Sequence, residues 1–191
     1  MEISSKDILV RMMETPNPQA VKLVVNFPVK KEGKASFKKA DEIKNQPLFS
    51  NLFNISGVHQ VHAFENQISL SHDGEIELEE LENQAVSIIK KWGPSHEPSF
   101  THEEEEKKKK DYSQLPEMHR KVEEVLDRAV RPGLQADGGD LEVISVEDNK
   151  IKISYQGACG GCPSSYMDTL FTIENILRYE LKNDKLEVYP E

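Results

Sequence analysis

Residues 93–115 read "GPSHEPSFTHEEEEKKKKDYSQL", and this stretch limits the rest of a 191-residue chain more than any other. Gly93, Pro94 and Pro98 break regular structure, and four glutamates followed by four lysines come next. Glutamates 103–106 face lysines 107–110 at i,i+4, a spacing that supports a short charged helix. No apolar residue lies within the block to hold such a helix against a core, so the stretch reads as a charged, flexible, solvated linker. The chain therefore divides into residues 1–92, the linker 93–115 and residues 116–191. Two small domains must each bury a core, from a composition that is 37% hydrophobic and 30% charged.

In the first domain, Val21, Leu23, Val25 and Phe27 alternate along "VKLVVNF", which is strand periodicity. Gly33 marks a turn into a second extended stretch near residues 35–37. Residues 40–55 read as a helix, with Pro47 in its first turn and Leu48, Phe49, Leu52 and Phe53 as the apolar stripe. "VHQVHAF" (58–64) and "QISLS" (67–71) predict two strands joined at Glu65 and Asn66. Residues 76–92 predict a closing helix with Leu78, Leu81, Ala85, Ile88, Ile89 and Trp92 on one side. His59 and His62 fall on opposite faces of a strand, which is poor geometry for a shared metal. His72, His96, His102 and His119 stand isolated.

The second domain opens on a helix over 116–134, in which Val122, Val125, Leu126, Ala129 and Val130 follow helical spacing until Pro132 and Gly133 stop it. "ADGGD" (136–140) reads as a turn, and its two aspartates fall well short of a calcium or magnesium site. "LEVISV" (141–146) and "KIKISY" (150–155) predict a hairpin around "EDN". A helix from Pro163 to about Leu181 and a strand over 185–189 complete the order. The expected fold class is α+β: two small α/β sandwiches, the second with helices on one face of a mixed sheet.

Charge narrows the function. The formal net charge is −10, distributed as −2, −2 and −6 over the first domain, linker and second domain. Such a field repels nucleic acid and anionic lipid, so neither is an expected partner. No apolar run reaches the roughly 20 residues of a membrane helix. The N-terminal stretch lacks a secretory pattern, and Glu2, Asp7 and Glu14 oppose an acid-poor transit peptide. A reducing cytoplasm is the expected compartment, with a processed organellar form as the alternative. No general acid–base pair or activated hydroxyl stands out, so enzymatic turnover is not expected.

The only two cysteines, Cys159 and Cys162, lie in "GACGGCPSS" (157–165), between the hairpin and Pro163. That placement puts Cys162 beside a helix N-terminus, whose positive end favours thiolate. Gly157, Gly160 and Gly161 strip the loop of side chains and leave backbone amides free to approach sulfur. Three readings stay open from spacing alone. A thiol–disulfide oxidoreductase also uses C-x-x-C before a helix, but within a βαβ pattern rather than after a hairpin. A zinc or iron–sulfur site needs four ligands, and a symmetric dimer would supply two thiols from each chain. Buried small residues are the third reading, although a glycine-rich loop is an unusual place to bury a thiol.

The segment "RPGLQADGGDLEV…KIKISYQGACGGCPSS" resembles the C-terminal domain of the NifU/Nfu iron–sulfur cluster proteins. "TPNPQAVKL" (15–23) and "PLFSNLFNISGVHQV" (47–61) resemble the N-terminal domain of the same family. The resemblance implies that Cys159 and Cys162 ligate a [4Fe–4S] cluster shared across a homodimer, with [2Fe–2S] as a second form. It further implies that the chain carries or assembles the cluster and delivers it to apo iron–sulfur proteins, with upstream cluster-assembly factors as its other partners. The chain departs from the family at "DTLFTIE" (168–174), where a lysine and a glycine are commonly found at the positions of Phe171 and Thr172.

Overall fold

The computed structural model describes residues 3–38, 40, 43, 45–101, 115–160 and 163–191, with residues 163–166 described by their backbone alone. The first domain is a five-stranded antiparallel sheet. Its strands are β1 (Val10–Glu14), β2 (Ala20–Val25), β3 (Lys34–Phe37), β4 (Val58–Phe64) and β5 (Gln67–His72), in the order β1-β2-β5-β4-β3. Strand β1 was not expected. Its inward residues Val10 and Met12 pack on the core, while Arg11 and Met13 stay exposed at the sheet edge.

Helix α1 (Pro47–Phe53) is shorter than the periodicity suggested. Proline lacks an N–H and disfavours helical geometry in the residue before it, so the helix starts at Pro47. Residues 41, 42 and 44 of the expected helix lie outside the described residues. Helix α2 (Leu78–Trp92) forms as expected. Leu48, Phe49 and Leu52 of α1 and Leu81, Ala85 and Ile89 of α2 join Leu23, Val61, Ile68 and Leu70 of the sheet in one core.

Residues 93–101 continue onto this domain. His96 Nε2 lies 2.6 Å from the Val29 carbonyl, and the Phe100 ring sits 5.4 Å from Phe49 and 6.4 Å from Phe37. Lys30 Nζ donates to the Phe100 carbonyl at 2.9 Å and lies over the Phe100 ring. His96 therefore has a packing role that its isolation in sequence concealed. The glutamate–lysine block lies outside the described residues.

In the second domain, α3 (Glu117–Ala129) is followed at once by α4 (Arg131–Ala136). Pro132 ends the first helix as expected, but it also occupies the opening turn of the second, where a missing N–H costs nothing. Strands β6 (Gly139–Glu147) and β7 (Lys150–Gly157) pair antiparallel, and β8 (Glu187–Pro190) pairs parallel to β7 after the crossover helix α5 (Pro163–Leu181). The sheet is mixed and small. Leu126, Leu141, Ile151, Ile153, Ile173 and Leu177 centre its core, with Cys159 packed at the margin. The fold is α+β in both domains. Among the described residues no helix is long and apolar enough to cross a membrane.

Candidate functional site

The cysteine loop leaves the hairpin where two glycines face each other, Gly139 of β6 opposite Gly157 of β7. Gly157 has a φ of +61°, and a Cβ there would come within 2.6 Å of the Gly138 carbonyl. Ala158 N–H donates to that carbonyl at 3.1 Å, and Gly160 N–H to the Gly157 carbonyl at 2.9 Å. This turn lays Cys159 across Gly139. A Cβ on Gly139 would sit 2.2 Å from Cys159 Sγ, so only a bare backbone leaves room for the sulfur. Cys159 is a free thiol. Cys162, its partner in the motif, lies outside the described residues.

A charged network stands beneath the loop. Asp140, 1% exposed, accepts from Lys34 Nζ at 2.9 Å, from Gln135 Nε2 at 3.1 Å and from Leu141 N–H at 2.7 Å. Arg131 Nε stands 3.6 Å from Asp140, and the same guanidinium pairs with Glu123 at 2.7 Å and with Asp127. Burial opposes charge on Asp140, but the Lys34 ammonium and these hydrogen bonds prevail and hold its carboxyl below the ordinary value. Asp140, which in sequence looked like a turn residue, thus joins both domains: Lys34 is on β3 of the first.

The first domain covers the loop. Along its sheet, Lys22 pairs with Ser69 and Ser69 with His62, while Ser71 pairs with Ala20 and with Gln60. This polar row is buried against the second domain. Ser69 Oγ donates to the Gly138 carbonyl at 2.5 Å and Ser71 Oγ to the Gly157 carbonyl at 3.3 Å. Asn17 Nδ2 donates to the Ala158 carbonyl at 2.9 Å and the Gly160 carbonyl at 3.3 Å, one on each side of Cys159. Lys34 Nζ also donates to the Leu141 carbonyl at 3.1 Å, and Lys22 Nζ to that of Ala136.

The loop that the glycines strip of side chains is thus covered by the first domain. Gly157, Gly160 and their neighbours do bare the backbone, but their carbonyls are taken by side chains of the other domain. Cys159 is half-buried as a result. Burial pushes its thiol up to about 12, and the Asp140 and Asp137 carboxylates push the same way. His62 lies under Gly157, and its buried Nδ1 has no hydrogen-bond partner among the described residues. Burial first, and then the Lys34 charge, lower its pKa to about 4 against a smaller opposing pull from Asp140. His59 stays exposed beside a cleft of about 500 Å³ that it lines with Lys38, Ser154 and Gly160. Among the described residues no three His, Cys, Asp or Glu side chains are grouped to hold a metal ion.

Two family profiles match the chain along most of its length. "Scaffold protein Nfu/NifU N terminal" covers residues 10–96, and "NifU-like domain" covers residues 122–188. This chain belongs to the NifU/Nfu family. Among curated relatives, "NifU-like protein 5, mitochondrial" of Arabidopsis thaliana is 27% identical over 94% of this chain and 67% of its own. "NFU1 iron-sulfur cluster scaffold homolog, mitochondrial" of Drosophila persimilis is 26% identical over 93% of this chain and 63% of its own. The chain thus spans about two thirds of the length of these family members. A solution structure of a NifU-like protein from Saccharomyces cerevisiae superposes with a TM-score of 0.43, at 18% identity, over 47% of this chain and 82% of that one.

Proposed function

We propose that this chain is an iron–sulfur cluster carrier: two copies hold one [4Fe–4S] cluster between their Cys159 and Cys162 thiolates and pass it to apo-proteins. The observation that carries the reading is the seat of Cys159. The loop presents a thiol over a glycine that no other residue could replace, in a C-x-x-C whose family relatives are named as iron–sulfur scaffolds. Soft thiolates select iron–sulfur clusters or zinc, and such a cluster takes four of them. Two thiols per chain then require two chains. The cluster is cargo, so the same four thiolates also accept a [2Fe–2S] form without a change of role.

The chain's own residues set what the site can do. Gly139 admits the sulfur, and the turn from Gly157 to Gly160 aims it. Asp140 and Arg131 fix the strand beneath. Met167 and Phe171 are both exposed, one turn apart on the helix that follows the loop, and supply an apolar patch for the second copy. Clients and upstream assembly factors are the remaining partners. The function requires a reducing compartment. Cytoplasm is the one proposed here, and fractionation of the tagged chain decides between it and the mitochondrion named for the relatives.

Anaerobic reconstitution with iron and sulfide tests the reading. The expected product is a brown dimer with about four irons per two chains, lost on replacing either cysteine by alanine. A colourless monomer that catalyses thiol exchange would overturn it. Phe171→Glu should weaken dimerisation of the loaded form without preventing folding of the cluster-free chain.

A further inference from the structure

We infer that the polar face of the first-domain sheet is a docking surface for the chain's own cysteine loop, and that this docking competes with pairing of two loops. The inference rests on the proposed function only for what the loop pairs with. Docking itself stands on geometry. The hydrogen bonds described above between the first domain and the loop region all run one way: Asn17, Lys22, Lys34, Ser69 and Ser71 donate, and the acceptors are backbone carbonyls of the second domain together with the Asp140 carboxylate.

A surface that reads carbonyls suits a glycine-rich loop: three of the six accepting carbonyls are those of Gly138, Gly157 and Gly160. The fit is close. A Cβ on Gly138 would fall 2.6 Å from Ser69 Oγ, and one on Gly160 would fall 2.9 Å from Gln60 Oε1. Gly138, with a φ of +80°, has no room for a side chain, and at Gly160 one would have to push the end of the Gln60 side chain aside. The Lys34–Asp140 pair adds charge to the register.

The consequence for the cargo is exclusive occupancy. Asn17 grips the carbonyls on both sides of Cys159, so the backbone that would present the thiol to a second copy is held by the first domain. Undocking frees that backbone. The cluster-free chain is then a closed monomer, and loading requires the sheet face to let go. The released face, lined with donors, becomes available in the loaded form only.

The test compares the cluster-free full chain with Ser69→Arg. Ser69 points away from the first-domain core, so arginine there is solvated once the domains part, and folding of the domain is preserved. Maleimide alkylation of Cys159, followed by peptide mass spectrometry, should be at least tenfold faster in the variant. Small-angle scattering should show a larger radius of gyration. Equal alkylation rates and equal dimensions would overturn the docking. Reconstitution with iron and sulfide then separates the two claims. Faster colour development in Ser69→Arg supports competition, and equal rates overturn it. Failure of both proteins to take up a cluster, with the alkylation difference intact, sinks the carrier reading and leaves the docking surface standing.

Discussion

On one face of the first-domain sheet, Leu23, Val61, Ile68 and Leu70 are buried under two helices. On the other, Lys22, Gln60, His62, Ser69 and Ser71 are buried about as fully, under the cysteine-bearing domain. Equal burial does not mean equal attachment. Separating the apolar face from its helices would expose hydrocarbon at roughly 25 cal/mol per Å². Separating the polar face exchanges protein hydrogen bonds for water, each with a net cost of only about 0.5–1.5 kcal/mol. One face holds a domain together. The other holds two domains together in a way that can be undone.

The largest expected effect lies on the apolar face. Phe49 is fully buried and touches Phe37, His96 and Phe100. Phe49→Ala should cost about 4 kcal/mol by loss of burial plus the cavity left behind. Denaturant unfolding should show the first-domain transition falling with the second little changed. A variant that lowered both transitions equally would break the distinction, since it would mean the domains unfold as one unit.

Asp140 comes next. Asp140→Asn removes the carboxylate shared by Lys34 and Arg131 and leaves their charges beside a neutral amide. The expected loss is about 3 kcal/mol, toward the low end for a broken buried pair because Lys34 is partly exposed. It should fall on the second domain and on docking together, read as a lower second transition and faster Cys159 alkylation. If only the second transition moved, Lys34 would contribute nothing to docking.

Acid should undo the polar face in two windows. His62 titrates near its ordinary value of 6.5 once exposed and near 4 while docked. The exposed state therefore binds the proton first, and stability is complete above 6.5 and falls as pH drops from 6.5 to 4, by about 2–3 kcal/mol. Asp140 has the opposite charge type but the same direction. Its depressed pKa keeps its contribution whole above 3.8 and loses it as pH falls further. Scattering and alkylation between pH 7 and 4 should show the domains parting before either unfolds. His62→Gln should abolish the upper window and leave the lower one.

The apolar face was legible in sequence because alternation and helical spacing state which residues avoid water. Leu23, Phe49, Leu52, Leu81 and Ile89 were all read correctly, and so were the hairpin and the crossover helix of the second domain. The same alternation placed Lys22, Ser69 and Ser71 opposite the core, where a lone sheet would meet water. Nothing local distinguishes a serine that faces solvent from one that faces another domain's carbonyl. The glycines held a signal of the covering domain. Gly138, Gly139, Gly157 and Gly160 are more than a thiol loop needs for flexibility, and each is crowded by a named neighbour. Strand β1 was missed because its inward Val10 and Met12 are interrupted by a charge and an exposed methionine.

The smallest effect is the most specific to the comparison. Asn17 lies in the turn between β1 and β2. Its side chain donates to the Ala158 and Gly160 carbonyls, and its Oδ1 accepts from Gln19 N–H at 2.9 Å. Asn17→Ala should cost docking about 1–2 kcal/mol, the net worth of the lost hydrogen bonds, equivalent to roughly 5- to 30-fold faster alkylation of Cys159. Asn17→Asp keeps the Gln19 contact but points a carboxylate at two carbonyls, so it should release the loop further while sparing the turn. An aspartate variant no faster than the alanine one would mean that Asn17 only shapes its own turn. The expected order, wild type slowest and aspartate fastest with both unfolding transitions unmoved, separates a hand on the cysteine loop from a brace within the first domain.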